Sequence, residues 1–218
     1  MFDTVLMVDW SGGNDRGKTP KRDAIWTGIG RNGKSEPPVY HRNRQNAEIY
    51  ILDTLKAERA AGRRILAAFD LCFAFPKGFA EKLTGNPDPL ALWDWFEERI
   101  NDSPKNNNRF DLAAEINAKF PGIGPFWGNG LQRDIAHLPR KGNDRAGHGF
   151  AEKRAPDAAA KGAFSPWQLA GAGAVGSQVL MGLPTLARLR NRLGKDLSVW
   201  PFQAADTSIV TAETYDSM

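Results

Sequence analysis

Apolar positions fall into short uninterrupted runs near the two ends of the chain and into helical spacing between them. Val5-Leu6-Met7-Val8 is such a run; residues 4–10 read as a strand that ends in Asp9 and meets Trp10-Ser11-Gly12-Gly13, a tight-turn signal. Ala24-Ile25-Trp26-Thr27-Gly28-Ile29 reads as a second strand. Asn32-Gly33 then marks a turn, and Pro38-Val39-Tyr40-His41 a short third strand. Ile49, Leu52 and Leu55 recur at helical spacing through Ala60-Ala61, with Gly62 as the stop. Arg64-Ile65-Leu66-Ala67-Ala68-Phe69 is the next buried strand; it runs into Asp70, and the chain breaks at Phe75-Pro76. Strand, strand, strand, helix, strand predicts a mixed α/β sheet that opens antiparallel.

From Lys77 to about Asn191 the pattern is helical and interrupted. Asn86-Pro87-Asp88-Pro89 starts a helix that carries Leu90-Ala91-Leu92-Trp93-Asp94-Trp95-Phe96, and Phe110 to Ile116 forms another amphipathic set. Residues 119–161 are rich in Gly, Pro, Arg and Asn and predict loops beside a site. Ser165-Pro166-Trp167-Gln168-Leu169 reads as a helix start, Leu180 to Leu193 as a helix, and residues 198–202 and 208–215 as late strands. The organisation predicted is a single domain over 1–218, with an insertion at about 77–195 between the central strand and the late strands.

Two strands that each end in an aspartate are the main chemical signal. If they lie parallel and adjacent, Asp9 and Asp70 emerge at the same sheet edge, where open α/β folds build their sites. One such Asp alone is as readily a turn residue or a helix cap. The single cysteine, Cys72, excludes an internal disulfide, and its apolar neighbours suit a buried thiol rather than a nucleophile. With no leader-like N-terminus, this predicts a cytoplasmic protein. No run of about 18 apolar residues suggests a membrane span.

The net charge of +4 conceals a basic block: residues 119–195 hold 12 Lys/Arg against 4 Asp/Glu, whereas 65–118 hold 5 against 9. A basic block beside carboxylates suits a phosphorylated partner, and equally a solvated surface. Gly171-Ala172-Gly173-Ala174-Val175-Gly176 has dinucleotide-binding spacing but no preceding strand, so close packing through small residues is the preferred account. His41, His137 and His148 lack metal-ligand or triad spacing. Ser11 has no nucleophile elbow around it; its hydroxyl is a candidate contact for a phosphate or a metal-bound water. Most of the seven tryptophans suit a core, with one or two left to stack on a base.

Asp9, Asp70 and Glu213, aligned with their strands, give the chain a likeness to known proteins. Together with Val8-Asp9-Trp10-Ser11-Gly12, Phe69-Asp70-Leu71, Asn108-Arg109-Phe110, Phe126-Trp127-Gly128 and Ala212-Glu213-Thr214-Tyr215, it resembles the predicted nuclease-like families of the ribonuclease H-like superfamily. The resemblance implies a ribonuclease H-like mixed sheet, three antiparallel strands followed by parallel ones, and a site formed by Asp9, Asp70 and Glu213 around Mg2+ or Mn2+. It also marks Arg109 and Arg154 as substrate contacts. Such proteins continue past the late Glu strand into a helix that brings another ligand; here five residues follow Glu213, among them Asp216, which takes that place in the expected set. The activity implied is metal-dependent phosphodiester hydrolysis of a nucleic acid or a nucleotide-like, phosphorylated small molecule. Two alternatives remain: an actin-like ATPase or kinase, because Asp9-Trp10-Ser11-Gly12-Gly13 also resembles a phosphate-loop turn, and a non-catalytic binding protein that retains the fold.

Overall fold

In the computed structural model, which describes residues 1–13 and 17–215, β1 (Thr4–Asp9) alternates buried and open positions. Leu6 and Val8 are inside, while Met7 and Asp9 face out. It pairs antiparallel with β2 (Ile25–Arg31), which in turn carries β3 (Lys34–Ser35) and β4 (Val39–His41) on its far side. The Asn32-Gly33 signal is what makes β3. Both residues take positive φ, 50° and 74°, as a two-residue hairpin turn requires. Lys34–Ser35 carries no strand signal in the sequence, because two polar residues have no period.

β5 (Ile65–Asp70) lies on the other side of β1 and parallel to it, followed by β7 (Ile209–Glu213) and β6 (Leu197–Trp200), also parallel. The order β3-β2-β1-β5-β7-β6, with β4 also on β2, is an α/β mixed sheet whose antiparallel part precedes its parallel part. Between β4 and β5 runs α1 (Arg44–Ala60), capped by Asn43, whose side chain accepts the Asn46 N–H at 2.8 Å. It packs on β4 and β5 and turns Ala47, Ile51, Leu52 and Leu55 inward.

The remaining helices are α2 (Phe79–Thr84), α3 (Pro89–Glu97), α4 (Arg109–Asn117), α5 (Ala155–Ala159) and α6 (Gly176–Leu193). The chain divides into two compact units. The first comprises residues 1–71, 103–106 and 185–218 and contains the sheet; the second comprises 72–102 and 107–184. Among the described residues no helix is long and apolar enough to cross a membrane.

The second unit is organised on aromatic rings. Phe75 stacks on Trp167 at 4.9 Å, and Phe79, Phe126 and Phe150 meet the same indole edge-on or tilted. Trp167 is fully buried, its N–H satisfied by the carbonyl of Ala151 at 2.9 Å. Asn117 fixes the 119–161 loops from inside, bonding both the N–H and the C=O of Phe126 and the C=O of His137. The loops are therefore ordered around side chains of the core.

The expected helix start at Ser165 to Leu169 is a turn instead, in which Trp127 and Gln168 form an isolated bridge, and the helix begins only at Gly176. A Cβ on Gly176 would stand 2.6 Å from the carbonyl oxygens of both Pro166 and Gln168. Backbone cannot yield there as a flexible side chain would. Gly176→Ala is accordingly expected to destabilise the second unit by about 1–3 kcal/mol, against the ordinary helix preference for alanine. Urea denaturation followed by tryptophan fluorescence measures it, and an equal or raised midpoint would remove the packing account of this glycine run.

Candidate functional site

The carboxyl ends of β1, β5 and β7 lie side by side within the first unit, and register decides which side chains share a face. Asp9 is opposite Asp70 in the parallel β1–β5 ladder. Paired residues point to one side of a sheet, and neighbouring strands are about 4.8 Å apart, so the two carboxylates leave the same face from adjacent strands. Asp9 is exposed and Asp70 half-buried.

Glu213 is placed differently. It is in register with Phe69, one residue before Asp70, and strand alternation assigns it to the Phe69 side of the sheet. Thr214 follows, its N–H donating to the Phe69 carbonyl at 2.8 Å. The three acidic residues therefore share an edge, and two of them share a face. Asp216 lies outside the described residues.

The turn after Asp9 is held from beneath by a residue that sequence reasoning missed. Arg44, 2% exposed in the first turn of α1, donates through Nη1 to the carbonyl oxygens of Ser11 and Gly13, at 3.2 and 2.6 Å. A cation in a helix's first turn opposes the helix dipole. That misfit, legible in Asn43-Arg44, was the available signal that Arg44 has another partner. The Ser11 hydroxyl accepts the Gly13 N–H at 3.2 Å, closing the turn.

Both candidate arginines belong to the second unit. Arg109, at the start of α4, donates from Nε to Ser177 Oγ at 2.9 Å and from Nη1 to Asn107 Oδ1 at 2.7 Å, and lies 4.4 Å over the Phe110 ring. Arg154 is 8% exposed and grips Asp157 through Nε and Nη2 at 2.8 and 2.6 Å, while Asp157 also accepts the Arg154 backbone N–H. Arg133 on Asp111, Arg140 on Asp134, Arg145 on Glu152 and Arg188 on Glu48 are further ion pairs of the basic block. Much of its charge is therefore matched by local carboxylates.

Two titrating groups sit elsewhere in the sheet unit. His41 is buried with its Nε2 2.8 Å from Thr27 Oγ1, and burial lowers its pKa. Glu58, at the C-terminal end of α1, is 1% exposed and bonded by Arg63, Thr4 and Arg31, which hold its pKa down at about 2.

Comparison of the chain with protein-family models, curated proteins and solved structures finds no match.

Proposed function

We propose that the chain is a divalent-metal-dependent phosphodiesterase of ribonuclease H-like fold, acting on nucleic acid or a nucleotide-like substrate. The observation that carries this reading is the Asp9–Asp70 register, which sets two carboxylates on one face at the carboxyl ends of adjacent parallel strands. The sheet order, an antiparallel hairpin beside β1 and parallel strands beyond it, supports the fold assignment.

The donor set suits Mg2+ or Mn2+: both side chains offer hard oxygen ligands, and the ions prefer carboxylates and water. Asp9 and Asp70 would hold the cation, which supplies an activated water and neutralises charge on the phosphoryl oxygens. Glu213, on the other face, adds negative charge to the same edge and is the weaker ligand candidate. Arg44 fixes the Ser11-to-Gly13 turn and so the direction in which Asp9 leaves its strand. Arg109 and Arg154 serve the second unit's own packing and stand behind Asp9 and Asp70 in this proposal.

The test is turnover of a labelled oligonucleotide and of a simple phosphodiester ester in Mg2+, in Mn2+ and in EDTA. Cleavage is expected with either metal, lost in EDTA and restored by added Mn2+. Absence of cleavage under every condition overturns the reading, and phosphate release from ATP in its place would favour the actin-like alternative.

A further inference from the structure

The face that carries Asp9 and Asp70 also carries aromatic side chains that the hydrolytic reading does not use. Register extends the carboxylate row across β1, β2 and β4: Asp9 is opposite Trp26, and Trp26 is opposite Tyr40. Tyr40, Trp26, Asp9 and Asp70 therefore stand in one line on one face, with the two rings 5.4 Å apart. The next row toward the strand interiors is Gly28, Met7, Ala68, Ala212 and Trp200, again on that face. In that row Met7 is exposed, Gly28 and Ala212 are half-buried and Ala68 is buried, and it ends in an indole that is 53% exposed. An exposed tryptophan at a sheet edge loses apolar burial with nothing gained in its own fold.

Cations gather at the Tyr40 end. The β1–β2 connection carries Lys18, Lys21 and Arg22, all exposed. Trp26 Nε1 donates to the Lys21 carbonyl at 3.0 Å, tying that connection to the aromatic row. Arg42 lies 5.8 Å over the Tyr40 ring and donates to the carbonyls of Gly17 and Lys18. Positive charge, flat rings and carboxylates thus follow one another along a single sheet edge, all within the first unit.

We propose that this face binds single-stranded nucleic acid, its phosphates held by Lys18, Lys21, Arg22 and Arg42 and its bases stacked on the Tyr40–Trp26 pair and on Trp200. From β2 to β6 is four strand spacings, about 19 Å, enough for a short run of nucleotides laid across Asp9 and Asp70. Stacking favours a single strand, because a duplex buries its base faces in its own stack while every unpaired base offers one. The inference rests on the hydrolytic reading of the same edge for what becomes of the bound strand, and on the aromatic and cationic residues for the binding itself.

The test is anisotropy of a fluorescein-labelled dT 12-mer and of a 12-base-pair duplex, titrated with the full chain in EDTA over a salt series. The single strand is expected to bind at least tenfold tighter than the duplex and to weaken as salt rises. Trp200→Ala should lose roughly tenfold in affinity and Trp200→Phe little, as base stacking on one ring predicts. Joint reversal of Lys18, Lys21 and Arg22 to Glu should lower affinity at least tenfold and flatten the salt slope. Equal affinity for duplex, or no loss in either the Trp200→Ala or the reversed chain, overturns the proposal. Binding with the expected preference but no hydrolysis in Mg2+ or Mn2+ sinks the phosphodiesterase reading alone, and hydrolysis without that preference sinks this one alone.

Discussion

Glu58→Gln unfolds at lower urea than the parent chain at pH 7, and the difference between them shrinks as the pH falls toward 2. The carboxylate is 1% exposed and accepts from Arg63 Nε at 2.6 Å, Thr4 Oγ1 at 2.5 Å and Arg31 Nη2 at 2.9 Å. These donors hold its pKa at about 2 against 4.5 ordinarily, so as pH falls the unfolded chain takes up the proton first. The stabilisation is complete above the unfolded value and is lost between about pH 4.5 and 2. At 1.36 kcal/mol per pH unit it is on the order of 3 kcal/mol, trimmed toward 2 because Arg31 and Arg63 keep part of their surface in water. Urea midpoints at pH 7 and in steps down to pH 2.5 measure it. If parent and variant lose stability in parallel over that range, the cluster contributes nothing.

Asp9→Asn is expected to reduce metal-dependent phosphodiester turnover on the order of a hundredfold or more, beyond the 10–100-fold typical of residues that only support a metal ligand. Its thermodynamic signature is separate. Two carboxylates on one face of neighbouring strands repel each other without a cation, so the variant without metal should be as stable as the parent or slightly more so. A cation that binds only the folded chain stabilises it by mass action, about 2.7 kcal/mol at a hundred times Kd. The parent should therefore gain melting temperature in Mn2+, and the Asn variant should gain none. Equal gains in both chains would place the metal elsewhere.

The sheet was largely legible because its strands announce themselves by composition. Val5 to Val8 and Ile65 to Phe69 are uninterrupted apolar runs in the two strands at the middle of the sheet, and each ends at the carboxylate where its ladder ends. The Asp9–Asp70 adjacency followed from those endings. The side of Glu213 did not, because it depends on a one-residue offset against Phe69, and strand composition is blind to register. Ala212-Glu213-Thr214 reads the same in either register. The likeness marks Arg154 as a substrate contact; its ion pair with Asp157, three residues on, forms only at the α5 N-terminus and is not legible in the sequence. Arg44 carries no sequence signal of its partners' identity because Ser11 and Gly13 are distant along the chain; Glu58 has Arg63 nearby, but its burial depends on Thr4 and Arg31, which are distant.

The strand order also sets a timetable for folding. β5 is completed early in synthesis, yet its ladder partner β7 is drawn from far along the chain; Thr211 reaches the Ala67 carbonyl across 144 residues. Closing so long a loop costs entropy before any pairing repays it. Until residues 209–213 emerge, β1 and β5 have only the antiparallel hairpin beside them, and one apolar edge of β5 faces the medium with its amides and carbonyls unpaired. The second unit is synthesised during that interval, and the rings around Trp167, Phe75, Phe79, Phe126 and Phe150, all precede β6 and β7 in the chain. The late strands therefore act as a closing step, and the nascent chain depends longest on protection at the strand that ends in Asp70.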